Sequence, residues 1–361
     1  MPRDLPDFPW DSLAPYGDRA RSHPDGIVDL SVGSPVDPTP AVVREALLAA
    51  GDAHGYPQTT GSAALREALV AWHARRRGAT LTTAQVLPTI GSKELIALLP
   101  LLLDLGSGDL VVQPRNAYPT YAVGAALVGA SVLASDDPEE WPAETRLVWL
   151  NSPGNPDGRV LDVDGLRAAV ERARALGAVI ASDECYAELN WAGDEPTPSV
   201  LDPRVVGKDP ASVLAVYSLS KQSNLAGYRA AFLAGDADLV ARLTAVRKHA
   251  GLIPPAPVQA AMIAALGDDA HVAEQKERYR ARREVLRAAF EGAGFRVEES
   301  TAGLYLWVTR DEDCWASVSD LADRGILATP GSFYGEDGVR HVRVALTVTD
   351  ERAAEAARRL R

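Results

Sequence analysis

From about residue 40 onward, stretches with apolar residues at helical spacing alternate with short apolar runs rich in branched side chains. The spacing predicts helices over 41–50, 62–77, 92–103, 164–176 and 239–250. The runs at 110–113, 147–150, 179–182, 213–217 and 230–234 read as buried strands. Strands apolar on both faces belong to a sheet covered on both sides, so the alternation predicts an α/β fold with a mostly parallel central sheet. In such sheets ligands bind beyond the carboxyl ends of the strands, which directs attention to the residues that follow each run. Past Pro254 and Pro255 the pattern changes. A long charged helical stretch at 270–291 precedes strand-like runs at 295–298, 305–308 and 341–348, predicting a smaller α+β domain. The first 37 residues, rich in proline and aspartate, are too irregular for a core of their own and are expected to pack on that domain. The expected division is a large domain at 38–265 and a small one formed by 1–37 and 266–361. No internal repeat or low-complexity tract interrupts it.

Composition narrows the function. The chain has 361 residues, enough for two cores, and its 47% hydrophobic and 24% charged residues are those of an ordinary globular protein. The net charge of −12 is spread along the chain, which argues against nucleic acid or an anionic membrane as the main partner. No run approaches the ~20 apolar residues of a membrane span, and the first six residues lack the apolar core of a signal peptide, so a cytoplasmic location is expected. Cys185 and Cys314 stand alone, without a CxxC or Cys/His cluster; neither a disulfide framework nor a metal site is expected, and both read as small buried hydrophobes. Gly106-Ser107-Gly108 lacks the third glycine of a dinucleotide fingerprint, and no P-loop, HExxH or GxSxG element occurs. Only five lysines are present, so one in a special setting stands out.

Four segments could carry chemistry, each with a bland alternative. Tyr217-Ser218-Leu219-Ser220-Lys221 follows a strand, with Gly227-Tyr228-Arg229 close behind. A strand end places the Lys221 amine at the mouth of the sheet, where it could act as a nucleophile towards an aldehyde; the alternative is a solvated loop lysine. Asp183, Glu184 and Tyr186 end another run, where a carboxylate could pair with a protonated ring nitrogen and a phenol could donate to a ring oxygen, or where Asp183 merely caps a turn. Asn151-Ser152-Pro153-Gly154-Asn155-Pro156-Asp157-Gly158 forms fixed turns that can hold an amide rigidly against a ligand, or can be loop chemistry alone. Gly91-Ser92-Lys93-Glu94 opens a helix whose free N–H groups suit a phosphate, though many helices begin with serine. Occurring in this order in one chain, the four are far more specific together than apart.

Together they resemble the fold-type I pyridoxal-phosphate (PLP) enzymes, specifically class I/II aminotransferases, over about residues 29–348, with Ser-x-Ser-Lys-x7-Arg the most specific element. The resemblance implies an α/β fold with a large domain and a smaller α+β domain. It implies that Lys221 joins PLP covalently and then moves the proton at the substrate's α-carbon. Asp183 would face the pyridine nitrogen, Asn155 and Tyr186 the phenolic oxygen, and Tyr118 the ring face. Ser92, Lys93, Ser218 and Arg229 would hold the phosphate, joined by Tyr56 from a second copy of the chain in a homodimer. Arg343 would bind the substrate α-carboxylate, with Gly33 and Asn155 beside it, since a guanidinium matches a carboxylate in two bonds. Two positions depart from the family pattern: Asp157 where a threonine is usual, and Lys93 at a place often uncharged.

The segments 5–11 and 35–38 and the short length resemble succinyldiaminopimelate aminotransferases of lysine and cell-wall biosynthesis. That resemblance implies amino transfer between N-succinyl-LL-diaminopimelate and 2-oxoglutarate/glutamate. Another class I/II aminotransferase, acting on aspartate, alanine or aromatic amino acids, or a C–S lyase would use the same scaffold. A PLP-sensing transcription regulator would carry a basic DNA-binding region, and the acidic balance of this sequence argues against that reading. Trp10 could form an entrance lid or simply pack.

Overall fold

A computed structural model of the chain describes Leu5 and residues 9–361. Pro6, Asp7 and Phe8, part of the N-terminal segment singled out above, lie outside the described residues. The strands in chain order are β1 (Val28–Asp29), β2 (Val86–Ile90), β3 (Leu110–Gln113), β4 (Ser131–Ala134), β5 (Thr145–Asn151), β6 (Val179–Asp183) and β7 (Val213–Ser218). They continue with β8 (Ala230–Gly235), β9 (Arg296–Glu298), β10 (Tyr305–Thr309), β11 (Ile326–Leu327), β12 (Thr329–Pro330) and β13 (His341–Ala345). Seven form one sheet in the order β2-β8-β7-β6-β5-β3-β4, in which β8 alone runs antiparallel to its neighbours. This is the expected α/β fold. The four strands β12-β13-β10-β9 make an antiparallel sheet, and β1 pairs with β11 in parallel.

The inner strands formed where apolar runs predict them. Along β5, Val148 and Leu150 enter the core on one face, while Leu147 and Trp149 enter the core on the other. Both edge strands were absent from the sequence reading. Strand β2 contains Pro88, tolerated because an edge strand need not donate on its outer side. Strand β4, Ser131-Val132-Leu133-Ala134, is largely exposed and too short a run to stand out as a buried strand. The helices Thr120–Val128 and Ala256–Gly267 were also missed, since apolar residues surround them and hide the helical period. The run expected as a strand to residue 348 stops at Ala345. There the chain leaves the ladder, with Ala345 N donating to Leu30 O and Leu346 N to Leu304 O, and then enters the helix Asp350–Arg359, capped by Thr349.

Helix starts are fixed by side chains: Ser62, Asp162 and Asp236 accept from backbone N–H groups at the heads of Ala63–Arg77, Val163–Leu176 and Ala237–Ala250. A further core joins Leu13, Ala20, Val28 and Leu30 from the beginning of the chain to Tyr305, Leu321 and Val344 near its end. Asp37 anchors this N-terminal stretch, receiving two bonds of 2.7 Å from Arg282 and one of 2.8 Å from Gln275 on the helix Ala270–Gly292. The same Gln275 accepts from Asn224, three residues beyond Lys221. The segment carrying Lys221 is thereby tied to the helix Ala270–Gly292 and, through Gln275, to the N-terminal stretch.

Candidate active site

The carboxyl ends of β5, β6 and β7 open into a cavity of about 450 Å³. Its walls include Gly33, Ser92, Lys93, Tyr118, Asn155, Asp183, Tyr186, Ser218, Lys221, Arg229 and Arg343, every site residue named from sequence except Tyr56. Tyr56 is fully exposed and is not among the residues lining the cavity of its own chain.

At one end, helix Ser92–Leu102 begins after Gly91 with no side-chain cap, leaving its first N–H groups for a ligand. Ser92 is thus the first helical residue instead of the cap. Gly91 has φ +74°, and a Cβ there would lie 2.1 Å from the Arg229 guanidinium; glycine is what lets that cation reach the helix end. Arg229 itself holds a left-handed backbone at φ 55°, and its Nη1 donates to Ala226 O at 2.9 Å. Such strain in a non-glycine residue collects at functional positions. Ser218 donates to the Ser220 hydroxyl at 2.9 Å, so two hydroxyls, only one of them expected, face this end.

In the middle, Asp183 is buried at the end of β6. Its carboxylate accepts from Tyr121 Oη and Cys185 N, each at 3.1 Å. Burial raises its pKa, with donor bonds from Cys185 and Tyr121 opposing that rise. The Asn151 amide donates to Asp183 O at 3.0 Å while its oxygen accepts from Asn155 N at 2.8 Å, which fixes the Asn155 turn to β6. Lys221 Nζ donates to Gly33 O at 2.5 Å. Tyr118 forms part of the wall, its phenol pushed up to about 12 by burial.

At the other end Arg343, 3% exposed, donates to Asn155 Oδ1 at 2.9 Å and to Ser31 O at 2.6 Å, leaving Nε without a partner. Its guanidinium carbon lies 4.0 Å from the Tyr305 ring centre. Gly33 is forced by the same neighbour, for a Cβ would meet the Tyr305 hydroxyl at 2.1 Å. Trp10 reaches the cavity edge and packs edge-on against Phe333 and Tyr334.

Sequence reasoning missed Tyr121, Tyr305 and the place of Cys185 in the cavity wall. Tyr121 stands on a helix that is apolar all round and Tyr305 in an apolar strand, so both read as core. Cys185 is buried as expected, but beside Asp183.

The charges define what the cavity accepts. Asp183 is a buried acid with no basic partner, and Arg343 and Arg229 have no acidic one among the described residues. Unpaired charge of this kind is costly unless a ligand answers it. A PLP molecule would answer the acid with a protonated ring nitrogen and Arg229 with its phosphate, next to the Lys221 amine. The residues fit the cofactor, and these features together are those of a PLP-dependent enzyme.

The chain belongs to the aminotransferase class I and II family, whose sequence profile matches residues 25–360. It is 58% identical over 359 residues to the 4-dedimethylamino-4-oxo-anhydrotetracycline transaminase OxyQ of Streptomyces rimosus, covering 99% of each chain. It is 59% identical over 358 residues to the probable aminotransferase Rv1178 of Mycobacterium tuberculosis, covering 99% of this chain and 85% of that one. Among solved structures, an aminotransferase from Neisseria meningitidis superposes with a TM-score of 0.90 at 31% identity, covering 99% and 97% of the two chains. A probable N-succinyldiaminopimelate aminotransferase from Thermus thermophilus gives 0.88 at 28% identity, covering 98% and 99%. The protein is therefore a PLP-dependent aminotransferase.

Proposed function

We propose that this aminotransferase moves an amino group between N-succinyl-LL-2,6-diaminopimelate and 2-oxoglutarate, with Lys221 as the residue that carries the cofactor. The observation behind the site assignment is the set of unanswered charges: a buried acid, two arginines and a lysine amine around one cavity. When bound, PLP supplies an electron sink that acidifies the hydrogen on the substrate's α-carbon. Asp183 holds its carboxylate against the ring nitrogen, and Tyr118 covers the ring face. Because the Asn155 oxygen is occupied by Arg343, its amide N–H groups are left to donate, with Tyr186, to the phenolic oxygen. Ser92, Lys93, Ser218 and Arg229 hold the phosphate. Arg343 and Gly33 receive the α-carboxylate, and the Lys221 amine holds and moves the proton at the α-carbon. The reading includes a homodimer in which Tyr56 of one copy reaches the phosphate of the other, a division into domains at 38–265 and 1–37 with 266–361, and a cytoplasmic location.

Two observations support the substrate: the likeness of segments 5–11 and 35–38 to succinyldiaminopimelate aminotransferases, and the fold neighbour from Thermus that bears that title. The 58% identity to OxyQ favours a second reading, a transaminase for a polycyclic ketone related to oxo-anhydrotetracycline. Half-reaction absorbance spectra separate them. Glutamate and N-succinyl-diaminopimelate are expected to convert the bound cofactor fully, each yielding its 2-oxo acid. Turnover confined to aspartate, an aromatic amino acid or the polycyclic ketone, or release of sulfide from a thioether amino acid, would contradict the proposal.

A further inference from the structure

Tyr305 has no part in the assignments above, yet it touches three of them. It stands on β10, facing Arg343 on β13 across the register Trp307 to Arg343, with its ring 4.0 Å from the guanidinium carbon. Its hydroxyl is 3.2 Å from the Tyr186 hydroxyl and lies where a side chain on Gly33 would have to go. The carbonyl of Gly33 accepts the Lys221 amine. A ring alone would suffice to pack against the arginine; the hydroxyl and the missing Cβ of Gly33 need another explanation.

We infer that Tyr305 is a positioning residue that joins the two halves of the site: its ring holds Arg343 flat for the substrate carboxylate, and its hydroxyl donates to Tyr186, which then donates to the cofactor's phenolic oxygen. The inference rests on the roles assigned to Arg343 and Tyr186 above. The direction of the bond follows from the hydrogen count: Tyr186 has a single hydroxyl hydrogen, and once that is given to the phenolic oxygen only Tyr305 can donate between the two hydroxyls. Burial pushes the Tyr305 phenol up, but the charges of Arg343 and Lys221 outweigh it and bring it below the ordinary tyrosine value, whereas burial holds Tyr186 well above. Cys185, Tyr118, Tyr279 and Tyr334 also face this group and are pushed up by burial, so they stay neutral and leave the two cations in control. With its own oxygen accepting from Tyr305, the Tyr186 hydroxyl becomes a better donor to a ligand, because hydrogen bonds in a chain polarise one another.

Two substitutions separate the two functions. Tyr305→Phe keeps the ring and loses the hydroxyl. The KM for the amino acid is expected to stay within about twofold, while the midpoint of the pH titration of bound-cofactor absorbance rises by roughly half a pH unit, the size of one modest hydrogen bond. It rises because the bond favours the anionic phenolic oxygen, and less of that help remains. Tyr305→Leu removes the ring as well, and KM is expected to rise about tenfold, consistent with a desolvated cation–π contact. Tyr186→Phe serves as the reference and is expected to raise the midpoint by more than Tyr305→Phe does. A Tyr186→Phe shift with none for Tyr305→Phe overturns the hydroxyl's role alone, and an unchanged KM in Tyr305→Leu overturns the ring's role. If Tyr186→Phe itself leaves the midpoint in place, the assignment of Tyr186 falls and the inference falls with it.

Discussion

At the level of single residues, the site is a set of charges that the protein leaves unanswered and glycines that leave room for them. Arg343 was singled out only through the family resemblance of its strand, and Asp183 through its position after an apolar run; the structure brings both to one cavity. Tyr121, which donates to Asp183 while stacking on Trp149, was not, because an aromatic residue on an apolar helix has no distinguishing pattern. Gly91 illustrates the same gap: its need follows from the Arg229 guanidinium that packs over it, a contact made across 138 positions of chain that no local rule anticipates. Gly91→Ala would place a methyl group against that guanidinium and hold a residue with a side chain at φ +74°. We expect the affinity for PLP to fall at least about tenfold, the equivalent of ~1.4 kcal/mol, read from fluorescence titration of cofactor-free protein. Wild-type affinity in this variant would show that Arg229 does not work through the helix end.

At the level of elements, the fold places the site by ending strands together, and the ties between elements hold those ends in register. The inner strands were legible because burial on both faces leaves continuous apolar runs. The edges β2 and β4 were not, since Pro88 interrupts the first and the second is a very short run on an exposed edge. The pair Asp37 and Arg282 is the tie whose effect can be measured. Burial opposes ionisation of Asp37, but bonds from Arg282 and Gln275, with the charges of Arg282 and Arg278, outweigh it and hold the carboxyl below the usual carboxylate range. The folded value being the lower one, the stabilisation is complete above the unfolded value near 4 and is lost as pH falls through the folded value. Asp37→Asn is expected to cost about 3 kcal/mol near neutral pH, because Arg282 stays buried, loses its buried counter-charge and keeps an ion pair only with the exposed Asp350. Denaturant unfolding from about pH 3 to 7 checks it: the deficit should shrink towards acid. A deficit independent of pH would mean that packing, and not the ion pair, holds the N-terminal segment.

At the level of the whole molecule, residues from positions 33 to 343 converge on one cavity, and only the tertiary fold could bring Gly33, Asp183, Lys221 and Arg343 to one place. The order of the motifs along the chain announced the family; the geometry explains part of that order, since the neighbouring strands β5, β6 and β7 deliver three of them side by side. Tyr56 remains the one expected contributor that stands outside its own chain's cavity, and the proposed homodimer would have to bring it from a second copy. All of this depends on which amine carries the cofactor. Borohydride reduction of the purified protein with PLP, followed by peptide mapping, tests it directly. One label per chain on Lys221, absent in Lys221→Ala, is the expected result. A label on Lys93, Lys208, Lys248 or Lys276, or no label at all, would contradict the account.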